Sequence, residues 1–277
     1  MISIHLKQII ASAIQEDIGM CDLTSNSIFD ISDRSKGTFT VKADGVLAGI
    51  EVLQVAYDYF GADVNVHFSK KDGERFNKKE IIAEVEGPTQ VLLSAERVIL
   101  NLIQHMSGIA TSTANVIRLL DDPSIEITDT RKTLPGLRAL QKYAVICGGG
   151  KNHRFRLDDG VMIKDNHIKA AGSITNAIEL VRKNIGHMVK VEVETESKEQ
   201  VLEAVKAKAE VIMLDNRAPE EIKELVTLIP DEIIVEVSGG ITPETINKFK
   251  GCGADVISLG WLTHSVKAMD ISFNLNN

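Results

Sequence analysis

From about residue 125 onward, short apolar runs rich in β-branched side chains alternate with stretches in which apolar residues return every three or four positions. The runs cover residues 125–127, 161–163, 189–193, 211–214, 233–237 and 256–259. Helical period marks residues 174–181, 199–205, 220–228 and 243–249 between them. Strand followed by helix, repeated, predicts parallel strands joined by helical crossovers. Six such units without a dinucleotide-binding glycine fingerprint favour a barrel over an open doubly wound sheet.

The first 108 residues carry a different pattern. Apolar residues at helical spacing (Ile2, Leu6, Ile9, Ile10, Ala13, Ile14) predict an N-terminal helix. A loop containing Asp17, Gly19, Asp22, Thr24 and Ser25 follows it. Alternating segments near 37–47, 64–68 and 81–85, with turns at Asp44-Gly45 and Asp72-Gly73, flank a helix near 50–60. This is an α+β domain. A long helical stretch, 92–120, with an interruption at Ser107-Gly108, bridges it to the barrel. The expected division is therefore 1–108 plus a returning tail, 267–277, against a barrel domain of 109–266.

Composition narrows the function. The chain has 277 residues, a net charge of −8 and only 4% aromatic residues. Global acidity argues against a partner as extended as DNA, and scarce aromatics argue against a stacking platform for single strands. No run approaches the roughly 18 apolar residues of a membrane span, and the N-terminus lacks the pattern of a secretory leader. A cytoplasmic protein with neither nucleic-acid nor membrane partners is expected. Cys21, Cys147 and Cys252 lack metal-ligand spacing and read as reduced thiols. Cys147 is expected to be a small buried side chain rather than a nucleophile.

Against this acidic background, Lys and Arg gather between Asp129 and His167. They lie among Gly, Pro, His and Asn rather than at helix-surface spacing. Such focusing suits a cleft that draws in a small polyanion. The apolar runs end in Asp129-Thr130-Arg131-Lys132, Lys164-Asp165-Asn166-His167, Glu194-Thr195-Glu196, Asp215-Asn216, Ser238-Gly239-Gly240 and Gly260-Trp261. Charged and glycine tips at one end of several strands are how (β/α) barrels assemble sites. Ser238-Gly239-Gly240-Ile241-Thr242-Pro243 is expected to open a helix, and Gly260 to His264 a short extra one. Together they would form a phosphate grip. Glu194 and Asp215, ending successive strands, suit ribose hydroxyls, Mg²⁺ or the charge of an oxocarbenium-like transition state. Glu192 shares the inward side with Glu194 by alternation. Arg131 and Arg154 are forks for carboxylate or phosphate. Lys132 and Lys164 add point charges, and His153 and His167 could exchange protons. A Schiff-base lysine at Lys132 or Lys164 in an aldolase-like barrel remains a competing reading.

Arg131-Lys132-Thr133-Leu134-Pro135-Gly136-Leu137-Arg138, Gly148-Gly149-Gly150 with His153-Arg154, Lys164-Asp165-Asn166-His167 and Ser238-Gly239-Gly240 closely resemble the quinolinate phosphoribosyltransferase family. So do the opening Glu16-Asp17-Ile18-Gly19, the Asp22-Leu23-Thr24-Ser25 stretch and the Glu96-Arg97 to Ser107-Gly108 helix, which extends the similarity over nearly the whole chain. The resemblance implies an α/β protein: an open barrel of about six to seven parallel strands with an N-terminal α+β sandwich. It implies transfer of phosphoribose from phosphoribosyl pyrophosphate to quinolinate with loss of CO₂, within NAD biosynthesis. It further implies a homodimer, or a higher assembly, with Arg97 contributed across the interface. Arg97, Arg131, His153, Arg154 and Lys164 would hold the quinolinate carboxylates. Thr130, Lys132, Glu194 and Asp215 would meet the pyrophosphate and ribose. Mg²⁺ is implied at Glu194 and Asp215, directly or through the pyrophosphate. Ser238, Gly239, Gly240, Leu259, Gly260, Trp261 and His264 would surround the 5′-phosphate. Lys132 and Lys164, with Glu194 and Asp215, would carry the catalysis.

Three neighbouring readings compete. A paralogue found with molybdate transport shares the Arg-Lys-Thr and triple-glycine features but lacks Lys-Asp-Asn-His. Nicotinate phosphoribosyltransferase couples ATP, for which no site is evident. A non-catalytic relic of the fold could have lost Glu194, Asp215 and Lys164, yet all three are intact.

Overall fold

The computed structural model describes residues 4–276, so Ile2 of the expected first helix lies outside the described residues. In chain order the first elements are α1 (Ile4–Ile18), α2 (Leu23–Ile28), β1 (Arg34–Val41), β2 (Gly45–Val46), α3 (Glu51–Tyr59), β3 (Asn65–Phe68), β4 (Arg75–Phe76), β5 (Ile81–Pro88) and α4 (Thr89–Leu120). Then come β6 (Glu126–Thr128), α5 (Arg138–Cys147), β7 (Val161–Ile163), α6 (Asp165–Ala171), α7 (Ile174–Asn184), β8 (Val191–Thr195), α8 (Lys198–Lys206) and β9 (Val211–Asp215). The last are α9 (Pro219–Val226), β10 (Ile234–Ser238), β11 (Val256–Ser258), α10 (Trp261–His264) and β12 (Ile271–Asn276).

Two compact units emerge. One comprises the described residues through Ala114, Thr133–Gly149 and those from Trp261 on; the other comprises Asn115–Lys132 and Gly150–Gly260. Residues 133–149, assigned from the sequence to the barrel, cluster with the first unit. Gln141 on α5 explains the attachment. Fully buried, it donates to the Thr263 carbonyl at 2.8 Å and meets His105 Nε2 at 2.9 Å.

In the first unit an antiparallel sheet runs β12-β1-β5-β3. Alternation along β1 buries Phe39 and Val41, and Phe39 lies opposite Phe273 with ring centroids 4.7 Å apart. Gly37 is glycine because a Cβ there would enter the Phe273 ring. The expected loop after α1 is partly helical. Asp22 caps α2, its carboxylate accepting the Ser25 N–H and the Ser94 hydroxyl, each at 2.9 Å. The expected break at Ser107-Gly108 is absent, and α4 continues through it. Those small residues serve close approach instead: a Cβ on Gly108 would overlap the Lys267 carbonyl, and the Ser107 hydroxyl accepts the Ala48 N–H at 3.1 Å.

In the second unit six parallel strands run β6-β11-β10-β9-β8-β7. The order is that of a barrel opened between its first two strands. Beyond β6, Thr128 pairs with Lys151 in an isolated parallel bridge. Crossover helices begin where short polar side chains can cap them, Ser173 before α7 and Ser197 before α8. The helix expected at 243–249 is a correction. Residues 246–249 form only a 3₁₀ turn, with Thr245 Oγ1 taking the Thr242 N–H at 2.9 Å and closing the segment locally. The glycine loop after β10 therefore has no α-helix behind it. Among the described residues, no helix is long and apolar enough to cross a membrane.

Candidate active site

Strand alternation sends every second side chain of the parallel sheet inward, and successive inward residues form two tiers. Met162 and Lys164, Glu192 and Glu194, Met213 and Asp215, and Glu236 and Ser238 are such pairs on or just after β7 to β10. The outer tier is polar and the inner tier carries two methionines and two acids. At the carboxyl ends of these strands lies a cavity of about 380 Å³. It is lined by Thr130, Arg131 and Lys132 after β6, by His153 and Arg154, and by Met162, Lys164, Glu194, Met213, Asp215, Glu236, Ser238 and Ser258.

Local bonds hold the cations. The Lys132 N–H donates to Thr130 Oγ1 at 3.0 Å. Lys164 Nζ lies 2.5 Å from Glu194 Oε2 while its side chain stays 45% exposed, so it is a solvated ion pair rather than the desolvated amine a Schiff base needs. Arg154 Nη1 donates to the Gly160 carbonyl at 2.7 Å. Burial, then the neighbouring Arg131 charge, draw the Arg154 pKa below its ordinary value. That pressure favours an anion between the two guanidiniums.

The acids divide by depth. Burial, then the charge of Glu194, raise the Asp215 carboxyl above its usual range, against the pull of Lys164 and Lys132. Deeper, Glu192 and Glu236 are buried against His153, whose Nε2 lies 3.2 Å and 3.6 Å from their Oε2 atoms. Burial and the Glu192 charge push Glu236 up to about 7.

Of the residues expected at the site, Thr130, Arg131, Lys132, His153, Arg154, Lys164, Glu194, Asp215 and Ser238 meet at this cavity. Gly239 and Gly240 follow Ser238 directly, with φ of +94° and +65°. A Cβ on Gly239 would overlap the Asn216 side chain, which itself donates to Asp215 Oδ2 at 2.6 Å. Leu259 is buried, its N–H on the Thr128 carbonyl at 2.9 Å, and Gly260 follows it. Arg97, Trp261 and His264 belong to the first unit. The Arg97 side chain is 59% exposed on α4, with Glu96 3.9 Å away.

His167 does not line the cavity. It sits in the first turn of α6, where its Nδ1 accepts the Lys164 N–H at 3.0 Å. Burial pushes the Cys147 thiol up to about 12, which leaves no thiolate. Glu236 and Ser258 are site residues the sequence reading passed over. The one available signal for Glu236 was an acid inside the apolar run 234–237.

Family models cover both parts of the chain: the N-terminal domain of quinolinate phosphoribosyl transferase matches residues 22–107, and the C-terminal domain matches residues 109–274. A protein of Bacillus subtilis (strain 168), named "Probable nicotinate-nucleotide pyrophosphorylase (carboxylating)", is 50% identical over 98% of this chain and 94% of its own length. Quinolinate phosphoribosyltransferase (decarboxylating) 1 of Nicotiana glauca is 38% identical over 98% of this chain and 82% of its own. The crystal structure of NadC from Streptococcus pyogenes superposes with a TM-score of 0.95 at 42% identity, covering 98% and 96% of the two chains. Human nicotinic acid phosphoribosyltransferase, at 11% identity and a TM-score of 0.63 over 99% of this chain and 74% of its own, shares the fold alone.

Proposed function

This chain belongs to the quinolinate phosphoribosyltransferase family, and we propose that its strand-end cavity carries out that family's reaction. The enzyme transfers phosphoribose from phosphoribosyl pyrophosphate to quinolinate, giving nicotinate mononucleotide, pyrophosphate and CO₂ in NAD biosynthesis. The observation that carries the reading is convergence: Arg131, Lys132, Arg154 and Lys164 share one cavity with Glu194 and Asp215.

Both substrates are polyanions. Arg131 and Arg154 grip the quinolinate carboxylates as forks and Lys164 adds a charge, with Arg97 supplied by a second copy in a homodimer. The N–H groups of Gly239 and Gly240, backed by Ser238, take the 5′-phosphate, with Leu259 and Gly260 completing that end. Thr130 and Lys132 face the pyrophosphate.

The ring nitrogen of quinolinate attacks the anomeric carbon as its bond to pyrophosphate breaks. Positive charge grows on the sugar, where the Glu194 and Asp215 carboxylates stabilise it. The nitrogen of the product ring is then cationic. When the adjacent carbon–carboxylate bond breaks, its electron pair stays on the ring carbon beside that positive nitrogen. A proton from Lys132 or Lys164 converts this carbon to C–H.

Mg²⁺ fits Glu194 and Asp215. The Asp215 carboxyl is raised partly by the Glu194 charge, a repulsion that a dication beside them relieves. When bound, directly or through the pyrophosphate, the ion supplies charge neutralisation to the leaving group. The enzyme works in the cytoplasm, in keeping with three cysteines outside any disulfide.

Purified protein with quinolinate, phosphoribosyl pyrophosphate and Mg²⁺ should release CO₂ and mononucleotide in equal amounts, and nicotinic acid should replace quinolinate poorly. Efficient use of nicotinic acid would reverse the assignment. Arg131→Ala and Arg154→Ala should each lower kcat/KM for quinolinate by about 100-fold or more, the scale of a lost charge-assisted pair.

A further inference from the structure

β9 ends on an acid, and the chain then turns in a way few side chains accept. Asn216, the residue after Asp215, has a φ of +54°, in the left-handed region that glycine and asparagine tolerate best. Its backbone N–H donates to the Ser238 carbonyl at 2.8 Å. This bond lies at the end of the β9–β10 ladder, in which Asp215 is opposite Ser238. The tips of the two strands are therefore joined where each delivers a site residue.

From that backbone the side chain folds back toward the strand it has just left. Asn216 Nδ2 donates to Asp215 Oδ2 at 2.6 Å. A carboxylate held through one oxygen keeps the lone pairs of the other for a ligand. The carboxamide is itself seated. A Cβ on Gly239 would overlap Asn216 Oδ1 and Cγ, so the bare Cα of Gly239 is the notch that the carboxamide occupies. On the other side, Arg217 Nη2 donates to the Glu196 carbonyl, two residues past Glu194. Residues 216 and 217 thus tie together the ends of β8, β9 and β10. Asp215 and Ser238 line the cavity, whereas Asn216 does not line it and is exposed to solvent.

We propose that Asn216 is a positioning residue: its carboxamide, wedged against Gly239, fixes the Asp215 carboxylate relative to the glycine loop after β10, without touching substrate. The proposal rests on the reading that Asp215 meets the ribose while Gly239 and Gly240 take the 5′-phosphate. Both groups belong to one sugar phosphate of limited reach, so the protein groups that grip them must keep one separation. A misplacement of about 1 Å in such a constellation can cost on the order of 100-fold in rate. A carboxylate oriented before the ligand arrives also loses less freedom on binding.

Two substitutions separate the side chain from the turn. Glycine at 216 accepts the same φ and removes the carboxamide. Aspartate also accepts it and fills the same notch, but its ionised side chain has no N–H to donate. In steady-state kinetics on the full chain, Asn216→Gly and Asn216→Asp should each lower kcat/KM for phosphoribosyl pyrophosphate about tenfold or more. KM for quinolinate should stay within about threefold of wild type. Full activity in Asn216→Asp would overturn the proposal, because a side chain without a donor would then serve equally well.

A double-mutant cycle tests whether Asn216 acts through Asp215. In an Asp215→Ala background, Asn216→Gly should change kcat/KM for phosphoribosyl pyrophosphate by less than about threefold. A further tenfold loss there would show that Asn216 acts on its own account, which defeats the positioning role. A loss in Asp215→Ala with none in Asn216→Gly would remove this inference and leave the proposed function standing. An unchanged kcat/KM in Asp215→Ala would sink both readings.

Discussion

Glu236 shows what burial does to one side chain. Desolvation, then the Glu192 charge, move its carboxyl from 4.5 up to about 7. Between those values the folded chain keeps a proton that the unfolded chain has released. The stabilising effect of that proton is full below the unfolded value and disappears as pH rises through the folded one. Urea midpoints of wild type should therefore fall from about pH 5 to about pH 7.5 more steeply than those of Glu236→Gln. Superimposable profiles would show that Glu236 does not titrate in that window. The residues easiest to find in the sequence were those whose charge ends an apolar run, such as Lys164, Glu194 and Asp215. Glu236 was hard to find because an acid between two valines reads as the solvent face of a strand. In the fold its strand lies between two others and His153, arriving from a separate segment, sits 3.6 Å from its carboxylate.

At the scale of elements, periodicity located strands well and misjudged small residues. Gly108 looked like a break in a helix because glycine is a poor helix former. In α4 it is a contact point for the backbone at Lys267, which no local pattern encodes. Two effects of opposite sign meet there. Alanine is favoured over glycine inside a helix by about 1 kcal/mol. A Cβ driven against a rigid carbonyl costs about 1–3 kcal/mol. Because the obstacle is backbone, overlap wins: Gly108→Ala should lose stability by ~1–2 kcal/mol in urea denaturation. A gain would mean the tail yields easily. The turn at 246–249 departs from its helical spacing for a related reason. Its apolar spacing is helical, but Thr242 and Thr245 satisfy each other and close it as a 3₁₀ turn.

For the whole molecule, alternation of strands and helices announced a parallel sheet, but strand order was not legible, since neighbours across a sheet leave no trace in local spacing. The division into units was likewise obscured where α5 returns to the first one. Oligomeric function gives a test at this scale. If Arg97 completes a partner's site, then Arg97→Ala and Glu194→Ala homodimers should each be nearly inactive. Equimolar mixing after subunit exchange should then restore about a quarter of wild-type activity, since half the dimers carry one intact site of two. No recovery, with exchange verified by mass, would place Arg97 in its own subunit's site. Sheet order also bears on how this protein is made. Glu126 faces Val256 across β6 and β11, and Thr38 faces Asn274 across β1 and β12. An early strand in each sheet must wait for a neighbour synthesised much later, so on the ribosome both sheets stay incomplete through most of translation. Nascent chains stalled before β11 should then offer open strand edges to chaperones, and synthesis speed, as much as stability, should govern the yield of native enzyme.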